Sequence, residues 1–146
     1  VRRLQVLSLA AIAVVAVASA GCGEGGASSG ATVSVYVAAP LCQEARKSSG
    51  SAGDLEVRVL CLPPQGARMA GLAAAGAGAR RATEDSTSVA FLEVPGPAAE
   101  FSRSIVESAD IAWVETSSAS TAMHRILSAL EGDGSSPRKA VLDEVG

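Results

Sequence analysis

The residues with most to offer chemically are Ser117, Ser118 and Ser120, in the run Glu115-Thr116-Ser117-Ser118-Ala119-Ser120-Thr121. Hydroxyls gathered where a strand gives way to a helix stand beside the free N–H groups of the helix's first turn. Such a loop can hydrogen-bond a carboxylate or another small polar group. Gly96, ahead of Pro97, makes a second opening of the same kind. The same serines would equally serve as helix cap and solvated loop. Residue types leave both readings open.

The remaining reactive side chains point away from catalysis. His124 is the only histidine. Without a Gly-x-Ser-x-Gly elbow it has no nucleophile to activate, and it reads as a surface or helix-packing residue. Glu84 and Asp85 end a helix and need no acid–base role. Arg80 and Arg81 read as a solvated helix face, and Trp113 as core. Gly76-Ala77-Gly78 lacks the third glycine and the preceding strand of a phosphate loop. No third ligand stands at metal spacing from Cys42 and Cys61. The chain is read as a non-enzyme with neither cofactor nor metal.

Cys42 follows the first apolar run and Cys61 closes the second. If those runs are parallel neighbours, both thiols lie at the carboxyl edge of one sheet. Outside the cytoplasm such a pair oxidises, and closing a loop of about 19 residues would contribute roughly 3 kcal/mol. Two separate buried thiols are the alternative.

The elements that must position these groups follow from hydrophobic pattern. Val89-Ala90-Phe91-Leu92 and Ile111-Ala112-Trp113-Val114 lack strict alternation, as expected of strands covered on both faces. Between them Pro97 suits a helix's first turn, and Phe101, Ile105 and Ala109 recur on one face. The connection is of crossover length, which makes a right-handed parallel strand–helix–strand unit. Upstream, 32–38 is a strand stopped by Pro40, 41–48 a short helix and 48–53 a loop. The strand over 55–62 alternates, which places it at a sheet edge.

A helix from near Ala67 presents Met69, Leu72, Ala75, Ala79 and Ala82 as a narrow stripe. Its Gly71, Gly76 and Gly78, each costing about 1 kcal/mol in a helix, would permit close approach. Ser120 caps a further helix striped by Met123, Ile126, Leu127 and Leu130. Hydrophobic residues are 48% and aromatics 3% of the chain, so Val, Leu, Ile and Ala must build the core. The expected fold is α/β: a three-layer single lobe over 32–131, with a mostly parallel sheet of about four strands in the order 2-1-3-4. A linker and a short terminal helix occupy 132–146.

Residues 1–21 read as a signal peptide, with Arg2 and Arg3 ahead of an apolar stretch too short for a comfortable membrane span of about 20 residues. Ser19-Ala20-Gly21-Cys22 resembles the lipobox of bacterial lipoproteins, with Ser19 where that motif usually has Leu. The resemblance implies lipid attachment at Cys22 and an extracytoplasmic, membrane-anchored protein. Plain secretion after an Ala-x-Ala site and an uncleaved anchor are the alternatives. Residues 22–31 make a flexible tether. Of the 12 Lys and Arg, two fall in the leader, leaving ten against 15 Asp and Glu, a net of about −5. That balance argues against nucleic acid and against anionic lipid headgroups as partners.

Pro40-Leu41, the run Ala79-Arg80-Arg81-Ala82-Thr83-Glu84-Asp85, Val89 to Leu92 and the loop Thr116 to Thr121 follow one another in a telling order. The succession resembles the amino-terminal lobe of type I periplasmic substrate-binding proteins, the Leu/Ile/Val-binding kind serving ABC transporters, over most of 32–131. Gly78 stands where that family's helix has Asn, and Glu93-Val94-Pro95-Gly96 where it often has a Gly-Ser turn. The family closes two lobes over its ligand, and this chain carries one. The resemblance implies a small amino-acid-like ligand at Gly96, Ser117, Ser118 and Ser120, and an ABC permease or a second-lobe protein as partner. A degenerate lobe acting as a protein-interaction module is the alternative.

Overall fold

In the computed structural model, residues 31–66, 68–132 and 136–146 are described. The proposed leader, Cys22 and the tether up to residue 30 lie outside them. The first apolar run becomes β1 (Thr32–Val37), buried from Val33 onward. A 3-10 turn, Ala39–Leu41, carries Pro40 near its start and leads into α1 (Cys42–Lys47). Next come β2 (Ser51–Ala52) and β3 (Leu55–Cys61). The helix α2 (Arg68–Glu84) precedes β4 (Ser88–Glu93), which is buried along its whole length. Then follow α3 (Pro97–Glu107), β5 (Ala112–Glu115), α4 (Ala119–Leu130) and α5 (Pro137–Val145).

The strands form one sheet in the order β2-β3-β1-β4-β5. The four longer strands are parallel, with Val35 paired to Val59 on one side and to Ala90 on the other, and Leu92 paired to Val114. β2 is the exception: it runs antiparallel to β3, with Ser51 opposite Glu56 and Ala52 opposite Leu55. The strand expected at the edge is therefore second from it. The segment read as loop supplies the edge, turning at Gly53, whose φ of 57° suits glycine. The alternation of β3 reflects its faces and not its place in the sheet: Glu56 and Arg58 stay exposed on one face, and Val57 is buried on the other.

Helices cover both faces. On one, Val35, Val37, Ala90 and Leu92 pack with Ala45 of α1, Met123 and Ile126 of α4 and Val141 of α5. On the other, Tyr36 and Phe91 pack with Ala79 and Ala82 of α2 and Val106 of α3. The terminal helix α5 is thus part of the lobe's core and not an appendage to it.

The stripe expected on α3 is rotated, while that on α2 holds at Ala75, Ala79 and Ala82 and fails at Met69. Met69 is 79% and Phe101 45% exposed. The buried positions of α3 are Ala99, Ser102 and Val106, and α2 buries Ala75, Ala79 and Ala82. Small residues face inward because the layers approach closely. A Cβ on Gly78 would stand 3.1 Å from the Leu62 side chain, and one on Gly76 would stand 2.8 Å from the Phe101 ring.

Candidate functional site at the carboxyl rim

Four parallel strands bring their carboxyl ends to one rim, where open α/β sheets accept ligands. The chain leaves β1 outward to β3 and returns across it to β4, so the order reverses between β1 and β4. Beside that reversal, the connection after β3 and the turn after β4 enclose a cleft of about 390 Å³. Gln65, Gly66, Met69, Leu72, Pro97 and Ala98 line it. Gly96 is the N-cap of α3 at its margin, with φ 153° and no side-chain cap for the helix.

Glu93 ends β4 next to this cleft. It alternates with Phe91 along the strand and so shares the face that α2 and α3 cover. Among the described residues it is the only Asp, Glu, Lys or Arg that is buried. Gln65 donates from Nε2 to Glu93 Oε2 at 3.2 Å, and the Val94 N–H donates to Oε1 at 3.1 Å. Burial pushes the Glu93 carboxyl above its ordinary range, and those two bonds only partly oppose it. A charged-type side chain held by neutral donors at the tip of a central strand is a functional-site signal.

The serine loop lies on the same rim and serves the opposite face. Thr116 N–H bonds the Glu93 carbonyl at 2.9 Å, so the loop begins beside β4 before turning into α4. Ser118 is the N-cap of α4, its side chain accepting from the Thr121 N–H. Thr116 steadies it: Ser118 N–H donates to Thr116 Oγ1 and Thr116 Oγ1 to the Ser118 carbonyl, both at 3.0 Å.

The donors of this helix terminus already hold a carboxylate. Glu44 of α1 accepts the Ser120 N–H at 2.8 Å and the Ser118 hydroxyl at 3.2 Å, both on Oε1. The Ser120 N–H foremost, with the Ser120 and Ser118 hydroxyls, holds the Glu44 carboxyl below its usual range. The structure thus gathers Ser118 and Ser120 around Glu44, leaves Ser117 exposed, and sets Gly96 on the cleft side.

Cys42 and Cys61 stand at disulfide distance, with a Cα–Cα separation of 5.5 Å, joining the start of α1 to the end of β3. That link lies two residues before Glu44. His124, Arg80 and Arg81 are exposed. Trp113 is half-buried, donating to Ser102 Oγ at 3.2 Å with the Arg103 guanidinium 5.2 Å from its ring centre. Asp85 receives bonds from the Tyr36 hydroxyl and from Thr87, closing the turn into β4. Among the described residues no cluster of His, Cys, Asp or Glu could hold a metal ion, and no helix is long and apolar enough to cross a membrane.

Glu44, Gln65 and Glu93 escaped the sequence reading. Glu93 alone carried a signal, an acid at the end of an apolar strand and just before a Pro-Gly-Pro turn. Comparison of the chain with protein-family profiles, with curated proteins and with solved structures returns no match.

Proposed function

We propose that this chain is a ligand-binding lobe, similar to the amino-terminal lobe of type I periplasmic substrate-binding proteins. It takes a small amino-acid-like ligand at the carboxyl rim, for or near an ABC transporter. It works outside the cytoplasm, held to the membrane by lipid on Cys22. The observation that carries the reading is the cleft between the starts of α2 and α3, beside the point where strand order reverses. Its volume of about 390 Å³ falls within the range of small-molecule sites. Gly96 borders it. The Ser117–Ser120 half of the rim joins the ligand only where a ligand carboxylate replaces that of Glu44. Calorimetric and thermal-shift titration with branched-chain and other amino acids tests the proposal. Millimolar binding of at least one supports it, and silence across the panel overturns it.

A second reading has its own observation. Glu44 fills the anion seat of the serine loop, while Met69 and Phe101 expose apolar surface on α2 and α3. Both suit a lobe that has given up small ligands for protein contact. Sedimentation of the purified chain as a clean monomer, with no co-purifying partner, counts against this alternative.

A further inference from the structure

We propose that the cleft recognises its ligand by a primary amine, with Glu93 as the ammonium acceptor and Gln65 as the gate whose amide the ammonium replaces. The inference rests on the ligand-binding reading above and names the group that the ligand must carry.

The argument begins with placement. Glu93 lies at the carboxyl end of β4, on the face covered by α2 and α3, and the cleft opens between the starts of those two helices. Gln65 belongs to both structures: it lines the cleft and its Nε2 sits 3.2 Å from Glu93 Oε2. A nitrogen entering from the cleft and taking that position would meet the carboxylate at hydrogen-bond distance. Gln65 can yield, since it stands in an irregular connection outside helix and strand.

Charge then selects the ligand's chemistry. A buried carboxylate is costly when its donors are neutral, and an ammonium in the same place stabilises it by a charge-assisted bond. A neutral amide or alcohol in the ligand would only repeat what Gln65 supplies. A metal ion is a poor occupant, because hard cations need several oxygen ligands and the rest of the lining is Gly66, Met69, Gly71, Leu72, Pro97 and Ala98. That apolar lining fits an aliphatic group beside the amine.

The test titrates the full chain with leucine, leucinamide and 4-methylpentanoate, the last being leucine without its amine. The expected result is binding of leucine and leucinamide, with 4-methylpentanoate at least tenfold weaker. Glu93→Gln should weaken leucinamide at least tenfold while melting no lower than the unsubstituted chain at neutral pH. Gln65→Ala should bind leucinamide as well as the unsubstituted chain or better.

Equal binding of 4-methylpentanoate and leucine, or unchanged leucinamide affinity in a folded Glu93→Gln, overturns the amine inference and leaves the ligand-binding reading standing. No binding of any of the three by the unsubstituted chain overturns the inference, and the amino-acid panel then decides the broader reading. Should Glu93→Gln not fold, the comparison of leucine with 4-methylpentanoate decides without it.

Discussion

The Ser120 backbone N–H donates a 2.8 Å hydrogen bond to Glu44 Oε1, across 76 residues of sequence. One carboxylate thereby caps α4 from a different helix. It satisfies donors that the helix's own turns cannot, in a place where the helix dipole favours negative charge. The bond ties the helix after the first strand to the helix after the last, behind the rim where the cleft opens.

Replacing Glu44 by Gln keeps the shape and removes the charge, so the melting temperature should fall at neutral pH. The folded carboxyl titrates below its unfolded value, which makes its contribution complete above pH about 4.5. The contribution is lost as pH falls through the folded value. The two melting curves should therefore differ at pH 7 and converge in acid. A gap independent of pH would mean that the charge is immaterial.

Gly96 has φ 153° and ψ 178°, and a Cβ built on it meets nothing within 4 Å. Any penalty for Gly96→Ala is then one of backbone conformation, in a region nearly reserved for glycine. It should destabilise by about 1–3 kcal/mol. Urea unfolding measures this directly, and an unchanged midpoint would show that the turn tolerates another path.

Cys42 and Cys61 close a loop of 19 residues. Reduction, or the double substitution Cys42→Ser with Cys61→Ser, should lower stability by roughly 3 kcal/mol. Denaturant midpoints with and without reductant provide the measurement, and thiol titration of the native protein should find neither residue free. Because the link precedes Glu44 on α1, its loss should also raise amide exchange at the start of α4.

Arg138 fastens α5 to the amino edge of the sheet. Its Nε donates to the Ser88 carbonyl at 2.9 Å, its Nη2 to those of Ser86 and Asp85, and its Nη1 to that of Ala109. Lysine cannot reproduce the planar fork. Arg138→Lys should cost about 2 kcal/mol, as expected when bonds from a charged donor are lost. Faster amide exchange over Arg138–Val145 would locate the effect, and its absence would show that Val141 and Val145 hold the helix unaided.

The order of elements was legible because it is written in short windows. Val89 to Leu92 is too apolar and too short for anything but a covered strand. Pro40 and Pro97 mark where helical turns begin. Met123, Ile126 and Leu130 recur at helical spacing, and all three are buried. The Cys42–Cys61 pairing was legible for a related reason: once two strands are parallel neighbours, residues at their carboxyl ends must meet.

The inward side of α3, and the start of α2 at Met69, were misread for want of contrast. Met69 and Phe101 are large apolar residues on helices that bury mostly Ala and Ser, with Val106 the one larger buried side chain of α3. The closeness of the layers, and not the hydrophobicity of single residues, decided which side went in. The edge strand was missed because Ser51-Ala52 is too short to show a pattern.

The sequence by itself determined a parallel α/β lobe, the succession of its four longer strands, and a serine-rich cap on α4, since each depends on neighbours in the chain. Only the tertiary structure decided that Glu44 occupies that cap and that Glu93 is buried behind Gln65. Those pairs join residues 76 and 28 positions apart. Their meeting depends on register and helix placement across the whole sheet, which no local window of sequence contains.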